Sequence, residues 1–232
     1  MELFELAAAD PAVRFSPNCW RTRLALDHKQ LPYHTIAWHF TEKDRIALSG
    51  QGKVPVLVDG DAVIHDSWVI ACHLEDRHPD RPSLFGPGSG RALAHFVNQW
   101  VSEAVHPALS RVLVPDIAEL VATCDRDYFR SSREAALGTS LDALRGQRDA
   151  AIATLRAVLQ PLRSTLHGQN FISGDAPLYA DIVAFAAFQW ARICLRGDAA
   201  LLAADDPLRA WLRRMDDAFP QAAQAPGVPG RF

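Results

Sequence analysis

A stretch rich in proline and glycine, PDRPSLFGPGSG (residues 79–90), divides the chain into two parts with different hydrophobic patterns. Three prolines and three glycines occupy these twelve positions, a composition typical of the segment between two domains. We therefore predict one domain over residues 1–80, a linker over 81–90 and a second domain over 91–232.

The first part alternates short strand patterns with helical ones. ELFEL and YHTIAW have the apolar, aromatic and β-branched mixture of strands, and VPVLVD and AVIH flank DGD, a hairpin signal. SPNCWRTRLALDHK and SWVIACHLEDRH have helical periodicity. The order β-α-β followed by β-β-α predicts a compact α/β layer.

The second part shows only helical periodicity. The stretches that carry it are LAHFVNQWVSEAVHPALSRVL, DALRGQRDAAIATLRAVLQPLRSTL, YADIVAFAAFQWARICL and DPLRAWLRRMDDAF. We predict an all-α domain of about five helices. The whole chain is therefore expected to combine an α/β domain with a helical one.

Composition limits the functional classes. The 232 residues are 49% hydrophobic and 22% charged, with a net charge of −3, so a nucleic-acid partner is not expected. Ile182–Phe188, the longest apolar run, is far too short to span a membrane. MELFELAAAD has three acidic residues and no basic segment, so we expect no signal peptide.

The four cysteines, at positions 19, 72, 124 and 194, lie far apart in the sequence. That spacing is typical of reduced thiols and predicts a cytoplasmic protein. Cys72, His73 and His78 are close together, but no second ligand pair follows them. We therefore expect no metal site.

The stretch SPNC at residues 16–19 has the spacing of a Cys-X-X-Cys redox motif in which serine replaces the first cysteine. Ser16 followed by Pro17 is a good helix start, with serine as the N-cap and proline in the first turn. The same hydroxyl could also point at a ligand bound at the positive end of the helix. The motif alone does not distinguish these roles.

Two further motifs also have both a structural and a functional interpretation. Pro55 inside an apolar strand cannot donate to a sheet, so Val54 could keep free backbone groups that pair with an extended peptide. A cis peptide bond would fit there. Asp66 or Ser67 could cap the next helix, or together bind the carboxylate and ammonium groups of an amino acid.

Taken together, the order and spacing of these motifs resemble the soluble glutathione transferases. The resemblance covers nearly the whole chain and is strongest to bacterial β-aryl etherases and the fungal serine-type enzymes. It is carried by SPNCWRTRLALDHK, VLVDGDAVIHDSWVIACHLEDRHPDRPSLF, DRDYFRSSREAALG and DDPLRAWL. DRDYFRSSRE (residues 125–134) is not general to the superfamily, so it points to this subgroup.

The resemblance implies a thioredoxin-like first domain that binds glutathione as co-substrate. Ser16 would face the glutathione sulfur and act as the catalytic residue. Val54, before a cis Pro55, would pair with the cysteinyl backbone, while Asp66 and Ser67 would hold the γ-glutamyl end.

The resemblance also assigns residues around these. Lys53 would meet the glycyl carboxylate, a role it assigns to His39 as well. A hydrophobic electrophile would lie between the domains, near Phe15 and Trp100. A homodimer is expected by the same resemblance.

The sequence departs from the pattern at three positions. Leu178 stands where the buried helix usually starts with a serine or threonine three residues before its aspartate, Asp181. Thiol reductases of the superfamily have a cysteine in place of Ser16. Isomerases of the maleylacetoacetate type usually have a cysteine two residues after the serine, where this chain has Asn18.

Three functions follow as hypotheses. The first is a glutathione transferase that attacks a hydrophobic, aromatic electrophile, with β-aryl ether cleavage as a candidate reaction. The second is a glutathione-dependent isomerase of the maleylacetoacetate type. The third is a non-catalytic protein that holds glutathione or an aromatic ligand.

Overall fold

The computed structural model describes residues 1–195 and 200–229. Its first domain is a mixed four-stranded sheet with helices packed on it. Its elements are β1 (Glu2–Leu6), α1 (Pro17–His28), β2 (His34–Trp38), a 3₁₀ segment (Lys43–Ser49), β3 (Val56–Asp59), β4 (Ala62–His65) and α2 (Ser67–Arg77).

The sheet has the strand order β2-β1-β3-β4. β1 pairs with β2 in parallel, because α1 returns the chain across the sheet, and pairs with β3 antiparallel. The β3–β4 hairpin pairs Asp59 with Ala62 across the predicted turn. This arrangement confirms the thioredoxin-like α/β domain.

The second domain is helical in the residues that the structure describes. Its helices are α3 (Gly90–Trp100), α4 (His106–Leu120), α5 (Arg126–Leu137), α6 (Leu141–Gly146), α7 (Arg148–Val158), α8 (Gln160–Leu166), α9 (Tyr179–Cys194), α10 (Leu208–Ala218) and α11 (Pro220–Ala223). A π-helical turn, Val101–Val105, joins α3 to α4, and a 3₁₀ turn, Thr123–Asp125, precedes α5.

The helices are more numerous and shorter than the periodicity predicts. The pattern over residues 142–166 is divided among α6, α7 and α8, with breaks at Gln147 and Leu159. DRDYFRSSRE, which the sequence singled out as a motif rather than as a helix, forms most of α5. The hydrophobic periodicity therefore identified the helical segments correctly but not the breaks that divide them into separate helices.

The core of the second domain is α9, in which every residue is buried. A helix that is apolar on all sides must lie inside a protein or a membrane. Here α1 of the first domain and α3 and α4 of the second pack on it. No helix in the ranges the structure describes is long and apolar enough to cross a membrane.

Asp181 compensates for the missing hydroxyl at the start of α9. Its fully buried carboxylate accepts hydrogen bonds from Ile172 N (2.7 Å), Ser173 N (3.1 Å), Leu178 N (3.4 Å) and Trp211 Nε1 (3.1 Å). Four donors on one carboxylate satisfy a buried charge without a serine or threonine partner.

The segment between the domains is packed rather than extended into solvent. Leu84 is buried, its N–H donates to Glu75 Oε2 (2.9 Å), and its carbonyl accepts from Tyr179 N (2.8 Å). The Tyr179 hydroxyl donates to Ser67 O (2.8 Å). These bonds hold the two domains against each other and fix the walls of the cleft between them.

Candidate active site

The cleft between the domains contains two adjoining cavities. The first, called the polar cavity below, has a volume of about 550 Å³. Its wall consists of Asn18, Arg21, Gln51, Lys53, Val54, Pro55, His65, Asp66, Ser67, Trp68, Asn98, Gln99, Ser102 and His106.

The second, called the aromatic cavity below, has a volume of about 470 Å³. Six aromatic side chains dominate its wall: Phe15, Trp38, Phe40, Tyr128, Phe129 and Trp190. Asn18, Lys53, Val54 and His106 line both cavities. A ligand in the polar cavity can therefore meet a flat apolar ligand at this shared wall.

Ser16 caps helix α1 and lines the aromatic cavity. Its backbone is extended (φ −66°, ψ 125°), its Oγ accepts from Cys19 N (3.4 Å), and Pro17 follows in the first turn. The side chain is buried but faces the positive end of the helix. The capping role and the ligand-facing role therefore coexist.

Cys19 lies one turn into α1 and is completely buried. Burial and the neighbouring Glu5 raise the pKa of its thiol to about 12, against a smaller opposing effect of the Ser16 hydroxyl. A thiol with such a pKa is not a nucleophile at neutral pH. Cys19 is thus a packing residue of α1.

The Val54–Pro55 peptide bond is cis. β3 begins at Val56, so Val54 lies outside the sheet ladder, and its backbone groups make no hydrogen bond within the described ranges. Val54 therefore presents a free donor and a free acceptor to the cleft, as an extended peptide requires.

Asp66 and Ser67 lie at the start of α2. Asp66 Oδ1 accepts from Trp68 N (2.8 Å) and Val69 N (3.1 Å), and the residue has φ +70°, which is uncommon for a residue with a Cβ. Its Oδ2 has no hydrogen-bond partner in the described part of the chain. Ser67 is buried beside it. One carboxylate oxygen is therefore left for a ligand.

A buried polar cluster at the back of the polar cavity was not found from the sequence. Arg21 on α1 donates to Asn98 Oδ1 (3.0 Å) and Ser102 Oγ (3.3 Å), and its Nη2 lies 3.3 Å from His106 Nε2. Arg21 is only 2% exposed, and burial lowers its pKa to about 10, so it remains a cation.

The sequence does carry a signal for this cluster. Asn98, Ser102 and His106 recur every four residues, which places three polar side chains on one side of a helix. The π-helical turn between α3 and α4 includes Ser102 and precedes His106. Such turns are frequent at functional sites.

His39 and Trp100 line neither cavity. The ring nitrogens of His39 lie within hydrogen-bond distance of Glu42 Oε2 (3.3 Å) and Ala8 O (3.2 Å). Trp100 lies about 200° around α3 from the cavity-facing Asn98, so it packs against the core instead. The other predicted site residues all line the cleft: Phe15, Ser16, Lys53, Val54, Pro55, Asp66 and Ser67.

No cluster of three or more histidine, cysteine, aspartate or glutamate side chains that could hold a metal ion is found among residues 1–195 and 200–229. Cys19, Cys72 and Cys124 are free cysteines.

Two family profiles match the chain. The profile described as Glutathione S-transferase, N-terminal domain matches residues 15–77, and that described as Glutathione S-transferase, C-terminal domain matches residues 92–217. The second match alone covers more than half of the chain.

Relatives give the same result. Glutathione S-transferase 4 of Zea mays is 27% identical over 215 residues, which are 88% of this chain and 87% of that protein. Glutathione S-transferase Z2 of Arabidopsis thaliana is 31% identical over 86 residues. That match spans 37% of this chain and 39% of the relative's length. The zeta-class glutathione S-transferase of Euphorbia esula is 29% identical over a match that spans 47% of this chain and 51% of the relative.

Among solved structures, a glutathione S-transferase of Ceriporiopsis subvermispora in complex with glutathione superposes with a TM-score of 0.83 at 25% identity. The superposition covers 95% of this chain and 96% of that chain.

Proposed function

Because the chain belongs to the glutathione S-transferase family, we propose that it binds glutathione in the polar cavity and activates the thiol with Ser16. The thiolate then attacks a hydrophobic electrophile held in the aromatic cavity. The observation that carries this proposal is the shared wall of the two cavities, with Ser16 on its aromatic side.

Four contacts would hold the tripeptide. The free backbone groups of Val54 would pair with the cysteinyl residue. Asp66 and Ser67 would bind the γ-glutamyl ammonium and carboxylate, and exposed Lys53 the glycyl carboxylate. With the cysteinyl residue on Val54, which lines both cavities, its sulfur lies at the entrance to the aromatic cavity.

Ser16 can supply the energy that thiol activation needs. A cysteine-like thiol has a pKa of ~8.5, and lowering it by about two units requires roughly 2.7 kcal/mol of preference for the thiolate. A hydrogen bond to a charged group contributes about 1.5–3 kcal/mol, and a helix N-terminus about 0.3–1 kcal/mol more. The hydroxyl and the start of α1 together are sufficient.

For an aryl ether the reaction is a substitution at carbon. The thiol proton leaves to solvent, the thiolate forms a carbon–sulfur bond, the carbon–oxygen bond breaks, and the phenoxide takes up a proton. The resemblance to β-aryl etherases and the six aromatic residues of the cavity support this as the first reaction to assay.

A second candidate is a glutathione-dependent isomerase. The zeta-class relatives favour it, since the helix of that isomerase type also begins with serine and continues with Trp-Arg-x-Arg, here Trp20–Arg23. Asn18 in place of the usual cysteine counts against it. An isomerase returns glutathione unchanged, whereas a transferase consumes it, so the thiol concentration during turnover distinguishes the two.

The test is an ultraviolet titration of the glutathione thiolate on the protein, compared with the Ser16→Ala variant. We expect a depressed pKa in the wild type that rises by about one to two units in the variant. Ser140→Ala is the matched control, because Ser140 caps α6 through Ala143 N (3.2 Å), away from the cleft. Binding without a depressed pKa would favour a non-catalytic ligand-binding protein.

A homodimer is also part of the proposal. Val69 on α2 and Leu93 and Phe96 on α3 are 50%, 41% and 71% exposed, an unusual share of large apolar surface for neighbouring helices. Sedimentation equilibrium would test it. The free thiols of Cys19, Cys72 and Cys124 are compatible with the proposed cytoplasmic location.

A further inference from the structure

Three basic side chains line the aromatic cavity: Lys43, Lys53 and Arg133. No aspartate or glutamate lines it within the described part of the chain. A cavity with apolar walls and charges of one sign concentrates ligands of the opposite charge. A site for uncharged hydrophobic ligands does not need these three cations, so the lining indicates a preference for anionic ligands.

Arg133 is a half-buried cation without a carboxylate partner among the described residues. Its guanidinium carbon lies 5.2 Å from the centre of the Phe40 ring and 5.0 Å from that of Phe129. Its only hydrogen bond in the described ranges is from Nη1 to Ser132 Oγ (3.2 Å), and no carboxylate there is within 4.0 Å. Burial lowers its pKa. By contrast, Arg130 on the same helix is paired with Glu134.

Lys43 adds a second positive charge, next to the Tyr128 ring. Its Nζ lies 5.4 Å from the centre of that ring and 4.8 Å from the centre of Trp38. One of its protons is donated to Gly52 O (2.6 Å), which leaves two donors. The cavity therefore offers cations from two separate elements, Lys43 on the 3₁₀ segment and Arg133 on α5.

We propose that the aromatic cavity selects aromatic electrophiles that carry a carboxylate, and that Arg133 is the specificity-determining residue that binds it. This inference rests on the conjugating function proposed above. The ring of the electrophile packs among the aromatic side chains, and its carboxylate accepts two parallel hydrogen bonds from the guanidinium. The field of Lys43 adds to the attraction. Arg133 belongs to the DRDYFRSSRE motif, as do the cavity residues Tyr128 and Phe129.

A purely structural role is the alternative. Stacking of Arg133 on Phe40 and Phe129 would attach α5 to the loop after β2 whether or not a ligand is anionic. The two roles differ in one measurable way. Only the binding role makes turnover depend on the charge of the electrophile.

The experiment compares a chlorodinitrobenzoate, with the chlorine para to the carboxylate, and its uncharged carboxamide. In both, the glutathione thiolate forms the carbon–sulfur bond, chloride leaves, and the thiol proton is released to solvent. The carboxamide is the more electron-withdrawing substituent, so the two differ in intrinsic reactivity. The informative quantity is therefore the acid-to-amide ratio of kcat/KM in each variant divided by that of the wild type.

We expect Arg133→Gln to lower this ratio about tenfold or more, the effect of losing a charge-assisted hydrogen bond. Arg133→Lys keeps the charge, so it should retain part of the wild-type ratio. Activity of this variant also shows that a substitution at position 133 is compatible with folding. Arg126→Gln is the matched control, since Arg126 is exposed on the same helix and lines neither cavity. It removes one charge from α5 and should leave the ratio unchanged. The wild-type preference should also weaken with added salt.

A second measurement does not require turnover. Dinitrobenzoate and dinitrobenzamide lack the leaving group, so their binding to the glutathione-loaded protein can be measured by calorimetry. The wild type should bind the acid more tightly, and Arg133→Gln should lose that difference.

Equal ratios in the wild type and Arg133→Gln, or equal binding of acid and amide, would overturn the inference. If the amide is conjugated while the acid gains nothing from Arg133, the proposed function stands and the specificity does not. If neither electrophile is conjugated but the acid binds through Arg133, the specificity stands and the conjugating function fails.

Discussion

Arg21 Nη2 lies 3.3 Å from His106 Nε2, and this contact joins the first helix of the α/β domain to the helical domain. Arginine can only donate, so Nε2 must accept and the proton of the imidazole is on Nδ1. The neutral ring lines both cavities and packs edge-on against Trp190, with ring centres 5.7 Å apart. A histidine of fixed tautomer therefore lies in the wall that the two cavities share.

This contact predicts a loss of stability in acid. Burial and the Arg21 cation hold the pKa of His106 well below its ordinary value of 6.5. Below pH 6.5 the unfolded chain binds a proton at this site that the folded protein does not, so the free energy of unfolding falls as pH falls. We expect the wild type to lose up to about 1.4 kcal/mol per pH unit relative to His106→Gln. Urea unfolding of both proteins at several pH values measures the difference, and parallel curves would contradict the assignment.

The buried Glu5 predicts the opposite slope. Its Oε2 lies 3.8 Å from Arg14 Nε and 3.7 Å from Arg23 Nη1, and neither carboxylate oxygen has a hydrogen-bond partner in the described ranges. Burial raises its pKa from 4.5 to about 7, against the lowering effect of the two arginines. Its protonated form is therefore favoured in the folded protein, and stability is lost as pH rises from 4.5 to about 7.

The stability of wild type minus that of Glu5→Gln should fall by about 3 kcal/mol across this window. The missing charge opposite Arg14 and Arg23 shifts the variant by a constant amount and leaves its slope unaffected. A difference that does not change with pH would show that Glu5 is ionised throughout.

Asp66→Asn separates the charge of Asp66 from its capping role. Asparagine keeps an oxygen for Trp68 N and Val69 N and tolerates the positive φ, so the free energy of unfolding should change by less than about 0.5 kcal/mol. Glutathione should bind about three- to tenfold more weakly, because its ammonium loses a carboxylate partner. Calorimetry measures the affinity, with Asp61→Asn in the hairpin turn as the control. An unchanged affinity would remove Asp66 from the proposed site.

Asp125→Ala should affect the electrophile more than glutathione. The buried carboxylate accepts from Phe40 N (2.8 Å), Thr41 N (3.0 Å) and Thr41 Oγ1 (2.8 Å), which holds the loop carrying one wall of the aromatic cavity. We expect KM for the electrophile to rise about three- to tenfold and stability to fall by about 2–3 kcal/mol. Asp127→Ala, exposed two residues further along in the first turn of α5, should do neither. Equal rises in KM for both substrates would point to general unfolding of the cleft.

Local chemistry accounts for most of what was predicted correctly. Ser16 and Pro17 predict a helix start because a side-chain oxygen and a missing N–H are both favourable there, and the structure places that start as expected. Val54–Pro55 and Asp66 were found for similar reasons, since proline and an N-cap residue act on their immediate neighbours. All of these residues line the cleft between the domains.

The residues that were missed or misplaced depend on contacts between distant parts of the chain. Arg21 meets Asn98 from 77 positions away, and Asp125 holds Phe40 from 85 positions away. The family resemblance placed Trp100 beside the electrophile, but the phase of α3 turns this side chain to the core.

The sequence by itself determined the two-domain division, the thioredoxin-like order of strands and helices, and the residues at the start of α1, before β3 and at the start of α2. Those features follow from hydrophobic period and from the local effects of proline and capping side chains. Only the tertiary structure decided which side chains form the aromatic cavity and that Arg133 lines it with no carboxylate beside it in the described residues. Charge compensation and burial depend on which distant elements pack together, and that packing is a property of the whole fold.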